Sequence, residues 1–217
     1  MTEASLQALS GLWDFTMLKW YVIPLLAFVF YVYTREVREA RASGNWDALF
    51  AGLTLFGADF FNETWNGWVL VLTGRSALWT APGDTALRTM VGWNIEIMLM
   101  FAVAGIIFYN TCSRNPNDKI LGLPNRWFWA IGYSLFCVFV EILLNIGGLL
   151  VWEYPFWNRS FGGIWLIILV GYFWFYAAVI LVLKIQKLPK RILAVSVIYA
   201  VPILMNIVAR AFLGWQY

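Results

Sequence analysis

Histidine is absent from the 217 residues. Its absence removes every mechanism that needs an imidazole ligand or base, including His-zinc hydrolysis, haem held by His and Ser-His-Asp triads. Charge is also scarce. Asp, Glu, Lys and Arg together make up 12% of the chain, against roughly 25% in soluble domains, which excludes an ordinary cytosolic protein. A net charge of +3 is too small to point to nucleic acid, so no such partner is expected. The two cysteines, Cys112 and Cys137, both lie in apolar stretches and read as small packing residues rather than a disulfide. Motifs are missing too. There is no GxxxxGK[ST] phosphate cradle, no Glu-x-x-His for a di-iron site, and no pair of aspartates close enough for a diphosphate-Mg²⁺ motif. No metal and no cofactor are expected.

What the chain has is apolar and aromatic bulk: 62% hydrophobic and 19% aromatic residues, with 14 tryptophans. A helix needs about 20 apolar residues to cross roughly 30 Å of hydrocarbon. That window gives about six spans, Trp13–Thr34, Trp46–Thr73, Gly92–Cys112, Arg126–Trp152, Ser160–Leu183 and Ile192–Trp215. The expected fold is therefore an all-α, polytopic membrane bundle forming a single domain over residues 1–217. The polar run Asn62–Gly67 suggests a break in the second span, and splitting it there would make seven. Pro24 and Pro202 fall inside spans and are expected to kink them. No basic residue precedes the first apolar segment, so that segment reads as an anchor and not as a cleaved signal.

The basic residues set the orientation. Loops after spans one, three and five hold Arg35, Arg38, Arg41, Arg114, Lys119, Arg126, Lys184, Lys187, Lys190 and Arg191; the opposite side has Arg75, Arg88 and Arg159. Short loops rich in Lys and Arg stay cytoplasmic, which places both termini on the non-cytoplasmic side. Trp13, Trp46, Trp79, Trp93, Trp127, Trp129, Trp152, Trp157 and Trp215 fall near span ends, as an interfacial aromatic belt requires. The stretch Gly74–Val91 reads as a surface connector, with a lid over the outer mouth as the alternative.

Four carboxylates nevertheless fall inside the spans: Asp59, Glu63, Glu96 and Glu141. Each such charge costs about 2.5–3.5 kcal/mol even on the lenient insertion scale. Asn62, Asn66, Asn94, Asn145, Asn206 and Arg210 accompany them. Asp59/Glu63, Glu141/Asn145 and Asn206/Arg210 are i, i+4 pairs, and residues so spaced share one helix face. Three helices thus carry polar stripes, expected to face one another around a cavity. At 1.5 Å per residue, the set gathers in the outer half of the bilayer. The bland account is structural: Arg210 neutralises Glu141 or Glu63, and the asparagines stitch helices together. Four acids against one or two cations leave a surplus, however. An acid buried without a partner keeps its proton to higher pH and can donate it near neutrality.

Such a cavity suits acid–base chemistry on a hydrophobic substrate. One carboxyl donates to an olefin, epoxide, ketone or alcohol while another accepts a proton elsewhere, and Trp65, Trp68, Trp93 or Tyr172 shields a developing cation. The segment DFFNETWNGW, Asp59 to Trp68, resembles in type the second-helix Asn/Trp/Glu cluster of the integral-membrane terpene cyclases of meroterpenoid pathways, without reproducing its order. That resemblance implies an isoprenoid-like substrate, Glu63 or Asp59 as proton donor and Glu141 as second acid or base. Two other classes compete. Embedded acids also build proton-coupled transporters or channels, and a lipid-binding subunit would need the same apolar bulk. The expected partners are a hydrophobic small molecule and membrane lipids; self-association is compatible with this reading.

Overall fold

The computed structural model describes residues 1–115 and 117–217. Seven helices carry the fold: α1 (Glu3–Ser10), α2 (Val22–Ser43), α3 (Asp47–Thr73), α4 (Ile95–Thr111), α5 (Asn125–Ile146), α6 (Phe161–Leu183) and α7 (Leu188–Phe212). Of these, α5, α6 and α7 are long and apolar enough to cross a membrane; α4 is apolar but has only 17 residues. The all-α expectation needs one amendment. Six very short strands pair two by two: β1 (Trp79–Thr80) with β6 (Val151–Trp152), β2 (Arg88–Met90) with β3 (Trp93–Asn94), and β4 (Lys119–Ile120) with β5 (Leu123–Pro124).

Helix α3 is the axis of the bundle, packed against α4, α6 and α7. It runs unbroken through Asn62–Gly67, contrary to the expected interruption. The polar side chains there are buried inside the bundle, so the backbone has no reason to open toward lipid. Gly74 ends the helix in the left-handed conformation (φ +62°), its N–H bonded to the Leu70 carbonyl, as a helix C-terminal glycine does. The contact with α4 depends on Gly105, where a Cβ would run into the Ala51 carbonyl oxygen.

Other boundaries move as well. The first long helix begins at Val22 rather than Trp13, and it continues through Arg35, Arg38 and Arg41 to Ser43. Pro24 therefore sits in its first turn, where the missing N–H costs nothing, and it is not an internal kink. Within α6, Ile167–Phe173 is wound as a π-helix, and α7 ends in a second π-helical turn, Val208–Phe212. Such bulges recur at functional sites.

The largest departure lies between α3 and α4. Residues 76–82 and 85–93 are buried almost throughout, so this segment is neither a surface connector nor a lid. It folds back onto the bundle, one strand pairing with residues after α5 and another with its own return. Arg88 ties it together, donating Nε to the Ala81 carbonyl at 2.9 Å and Nη2 to the Gly83 carbonyl at 2.6 Å. Lys19, expected within the first span, instead forms an ion pair with Asp84 of this segment.

Candidate functional site: three carboxylates in one cavity

Asp59, Glu63 and Glu141 line a single cavity, with Asp59 3% and both glutamates 5% exposed. The i, i+4 spacing on α3 places Asp59 and Glu63 on one face, and α5 brings Glu141 to it. The cavity holds about 680 Å³ of non-protein space, its open mouth included. Apart from the acids, Asn62 and Tyr172, its walls are largely apolar and aromatic. No lysine or arginine is among them.

Tryptophans from the buried segment hold two of the acids. Trp93 Nε1 donates to Asp59 Oδ2 at 2.8 Å, and Trp79 Nε1 donates to Glu63 Oε1 at 2.8 Å. Trp79 is itself fixed by Asn66, whose Oδ1 accepts from the Leu78 and Trp79 amides at 2.8 and 3.3 Å and whose Nδ2 donates to the Trp79 carbonyl at 2.8 Å. The Trp79 ring stacks on Trp157 at 5.6 Å and meets Trp65 edge-on at 6.1 Å. Gly92 makes the arrangement fit: a Cβ there would lie 2.5 Å from Glu63 Oε2 and 2.7 Å from Trp79 Nε1. The π-helical stretch of α6 supplies the opposite wall, presenting Tyr172 and the Gly171 carbonyl, which accepts from Asn62 Nδ2 at 3.4 Å.

Hydrogen-bonding capacity is left over. Among the described residues, Glu63 Oε2 and Glu141 Oε2 accept no hydrogen bond of ordinary geometry and Trp152 and Trp157 leave Nε1 undonated, although all four atoms are buried; the Trp152 indole and the Tyr172 hydroxyl lie beside Glu141. Orphaned buried polar atoms are few in folded proteins, and each asks for a reason. Here the two oxygens and the Trp157 nitrogen belong to residues around the same empty space.

The other expected site residues stand apart from the cavity. Glu96 accepts from the Tyr21 hydroxyl (2.5 Å), the Thr85 hydroxyl (2.5 Å) and the Ala86 amide (2.9 Å), fastening the buried segment to the start of α4. Asn94 caps α4, accepting from the Ile97 amide at 2.9 Å. Asn145 bonds to the Leu150 carbonyl, and Asn206 to Thr64 Oγ1. Arg210 neutralises neither Glu141 nor Glu63. It donates to the Thr89 carbonyl at 3.3 Å and lies over the rings of Trp13 and Tyr217. Convergence thus involves two of the three striped helices. Trp65 donates to Asn62 Oδ1 at 2.8 Å, behind the wall, and Trp68 packs on Trp215.

Trp79, Trp157 and Gly92 belong to the site and were missing from the expected set, while Asn62, expected among the polar residues of the spans, lines the cavity. Trp79, Trp93 and Trp157 are buried, not part of an interfacial belt. Their nearness to span ends could not distinguish a belt from a segment folded back into the bundle. Only the glycine of VGWN, next to Trp93, offered a sequence signal of close backbone approach.

A family described as an uncharacterized membrane protein family matches residues 2–211. An uncharacterized protein of Archaeoglobus fulgidus is 39% identical over 214 residues, covering 99% of each chain. No solved structure matches. The chain belongs to that membrane protein family and is an integral, multi-pass membrane protein.

Proposed function

We propose that this member of an uncharacterized membrane protein family is a membrane-embedded acid–base enzyme, of cyclase or isomerase type, acting on a hydrophobic, isoprenoid-like substrate. The observation that carries the reading is the meeting of Asp59, Glu63 and Glu141 in one apolar cavity without a cation in its walls. Like charges so placed cannot all ionise cheaply. A proton shared among them is available to an olefin, epoxide or carbonyl, and the ionised member can accept one in return. The Trp79 and Trp157 faces shield a developing cation, and the apolar walls keep water from quenching it.

The reading includes six membrane crossings with both termini on the non-cytoplasmic side, which the distribution of ten basic residues on one side supports. It sets the cavity in the outer half of the bilayer. A continuous pore is disfavoured by the buried cluster beyond the cavity along α4 and α6, which includes Phe108, Tyr176, Val179 and Ile180.

The test is conversion of membrane lipid extracts by the purified protein, read by untargeted mass spectrometry. Glu63→Gln, Asp59→Asn and Glu141→Gln should each abolish the change in lipid profile while the protein stays folded. Full conversion by all three variants would overturn the assignment.

A further inference from the structure

The cavity is not sealed on every side. Met100 on α4 and Phe136 on α5 belong to its wall, yet they are 50% and 61% exposed. Val140, one turn beyond Phe136, lines it as well. Helices α4 and α5 lean chiefly on α3 and α6 and touch each other little, so the mouth falls between them. The surface around it is apolar. Phe136, Phe139 and Leu143 form an exposed face at i, i+3 and i+7. Charged residues on the two helices are few: α4 has only Glu96, one turn before Met100 and already bonded to the Tyr21 hydroxyl, and α5 has only Arg126 at its start and the buried Glu141.

We propose that the gap framed by Met100, Phe136 and Val140 is a lateral portal from the bilayer, through which a chain lipid inserts its functional end toward Asp59, Glu63 and Glu141 while its hydrocarbon tail stays among the lipids. This rests on the acid–base reading of the cavity and specifies its substrate class. The end that enters is uncharged: a hydroxyl, carbonyl, epoxide or olefin. A phosphate or carboxylate head would meet three acids in a wall that has no lysine or arginine to receive it. An uncharged polar end instead finds acceptors in Glu63 Oε2 and Glu141 Oε2, neither of which accepts a hydrogen bond of ordinary geometry, Glu141 having the Trp152 indole and the Tyr172 hydroxyl beside it. Apolar side chains at the mouth exact no desolvation cost from the tail that follows.

The portal is tested by photolabelling the whole protein in lipid vesicles. Two probes are used, a long-chain alcohol carrying a diazirine near its hydroxyl and the fatty acid of equal length, with adducts mapped by peptide mass spectrometry. The alcohol should label peptides around Met100 and Phe136–Leu144 severalfold more densely than the exposed residues Leu193 and Leu204 of α7, and the ionised fatty acid should not. Val140→Trp, and Met100→Trp from the opposite helix, should remove that excess while α7 labelling, which reports an inserted fold, is unchanged. Equal labelling of α7, equal labelling by both probes, or an excess that survives both tryptophans would overturn the portal. Glu63→Gln separates the two ideas. Labelling retained with turnover lost supports both. Labelling and conversion both retained in the three carboxylate variants sinks the acid–base reading and leaves the portal standing.

Discussion

Trp79 and Glu63 are sixteen residues apart in the chain and joined by a 2.8 Å hydrogen bond from indole to carboxylate. The bond links a segment that leaves α3 to the middle of that same helix, so the site forms only when residues 76–93 have folded back. Trp79→Phe keeps an aromatic ring beside Trp157 but removes the indole donor and part of the stacked surface. A buried acceptor left without its partner costs about 1–3 kcal/mol, and a loss of that order is expected in denaturant or thermal unfolding in detergent. Turnover should fall as well, because the position of Glu63 is then set by fewer contacts.

Gly92→Ala tests the space behind that pair. The added methyl would lie 2.5 Å from Glu63 Oε2 and 2.7 Å from Trp79 Nε1, so one of them must move. Overpacking of this kind costs about 1–3 kcal/mol. Conversion should drop more steeply than the melting temperature, since the displaced atoms are those of the proposed chemistry. A variant with wild-type turnover would show that the Glu63–Trp79 geometry is not required.

Asn66→Leu is expected to loosen the segment rather than the helix. Three backbone groups, the amides of Leu78 and Trp79 and the carbonyl of Trp79, lose their partner, at about 1–3 kcal/mol for each that stays buried and unpaired. Limited proteolysis should cut between Gly74 and Asn94 faster than in the wild type, with α5 to α7 cut no faster. Had the polar stripe served helix–helix stitching alone, the damage would appear in the bundle instead.

The ion pair at Asp84 gives the acid limb of stability a definite sign. The Lys19 ammonium, by hydrogen bond and then by charge, holds the Asp84 carboxyl below its ordinary value. A carboxylate whose folded pKa is depressed contributes fully above its unfolded pKa of about 3.9, and the contribution is lost as pH falls through the folded value. The pair is largely solvated, so the effect is small. Melting temperatures of wild type and Asp84→Asn should differ near neutrality and converge as the pH is lowered past 4. A constant difference down to the lowest pH would refute the pairing.

Much of the architecture was readable because it is local. The i, i+4 stripe of α3 follows from helical geometry alone, and Asp59 and Glu63 share a face whatever surrounds them. The same spacing on α5 and α7 predicted stripes but not the direction in which they turn. Glu141 faces the cavity while Asn145 bonds near the end of its own helix, and Asn206 with Arg210 faces Thr64, Thr89 and Tyr217. Rotation about a helix axis is set by packing between helices, and composition does not encode it. Glu96 shows a second limit: its depth was read from its place in a span, yet hydroxyls from Tyr21 and Thr85 already occupy it.

The sequence by itself determined that this chain lives in a membrane, because so few charges and so many apolar residues cannot be dissolved in water. It also determined that four carboxylates fall within or at the edge of long apolar stretches, and that no imidazole shares their work. The tertiary structure alone decided that three of the four meet and that two of them, Asp59 and Glu63, accept from indoles of a segment that looked like a surface connector. Burial on that scale is a property of contacts between distant residues. It exists only once the chain after α3 has turned back and Trp79 and Trp93 have been brought to Glu63 and Asp59.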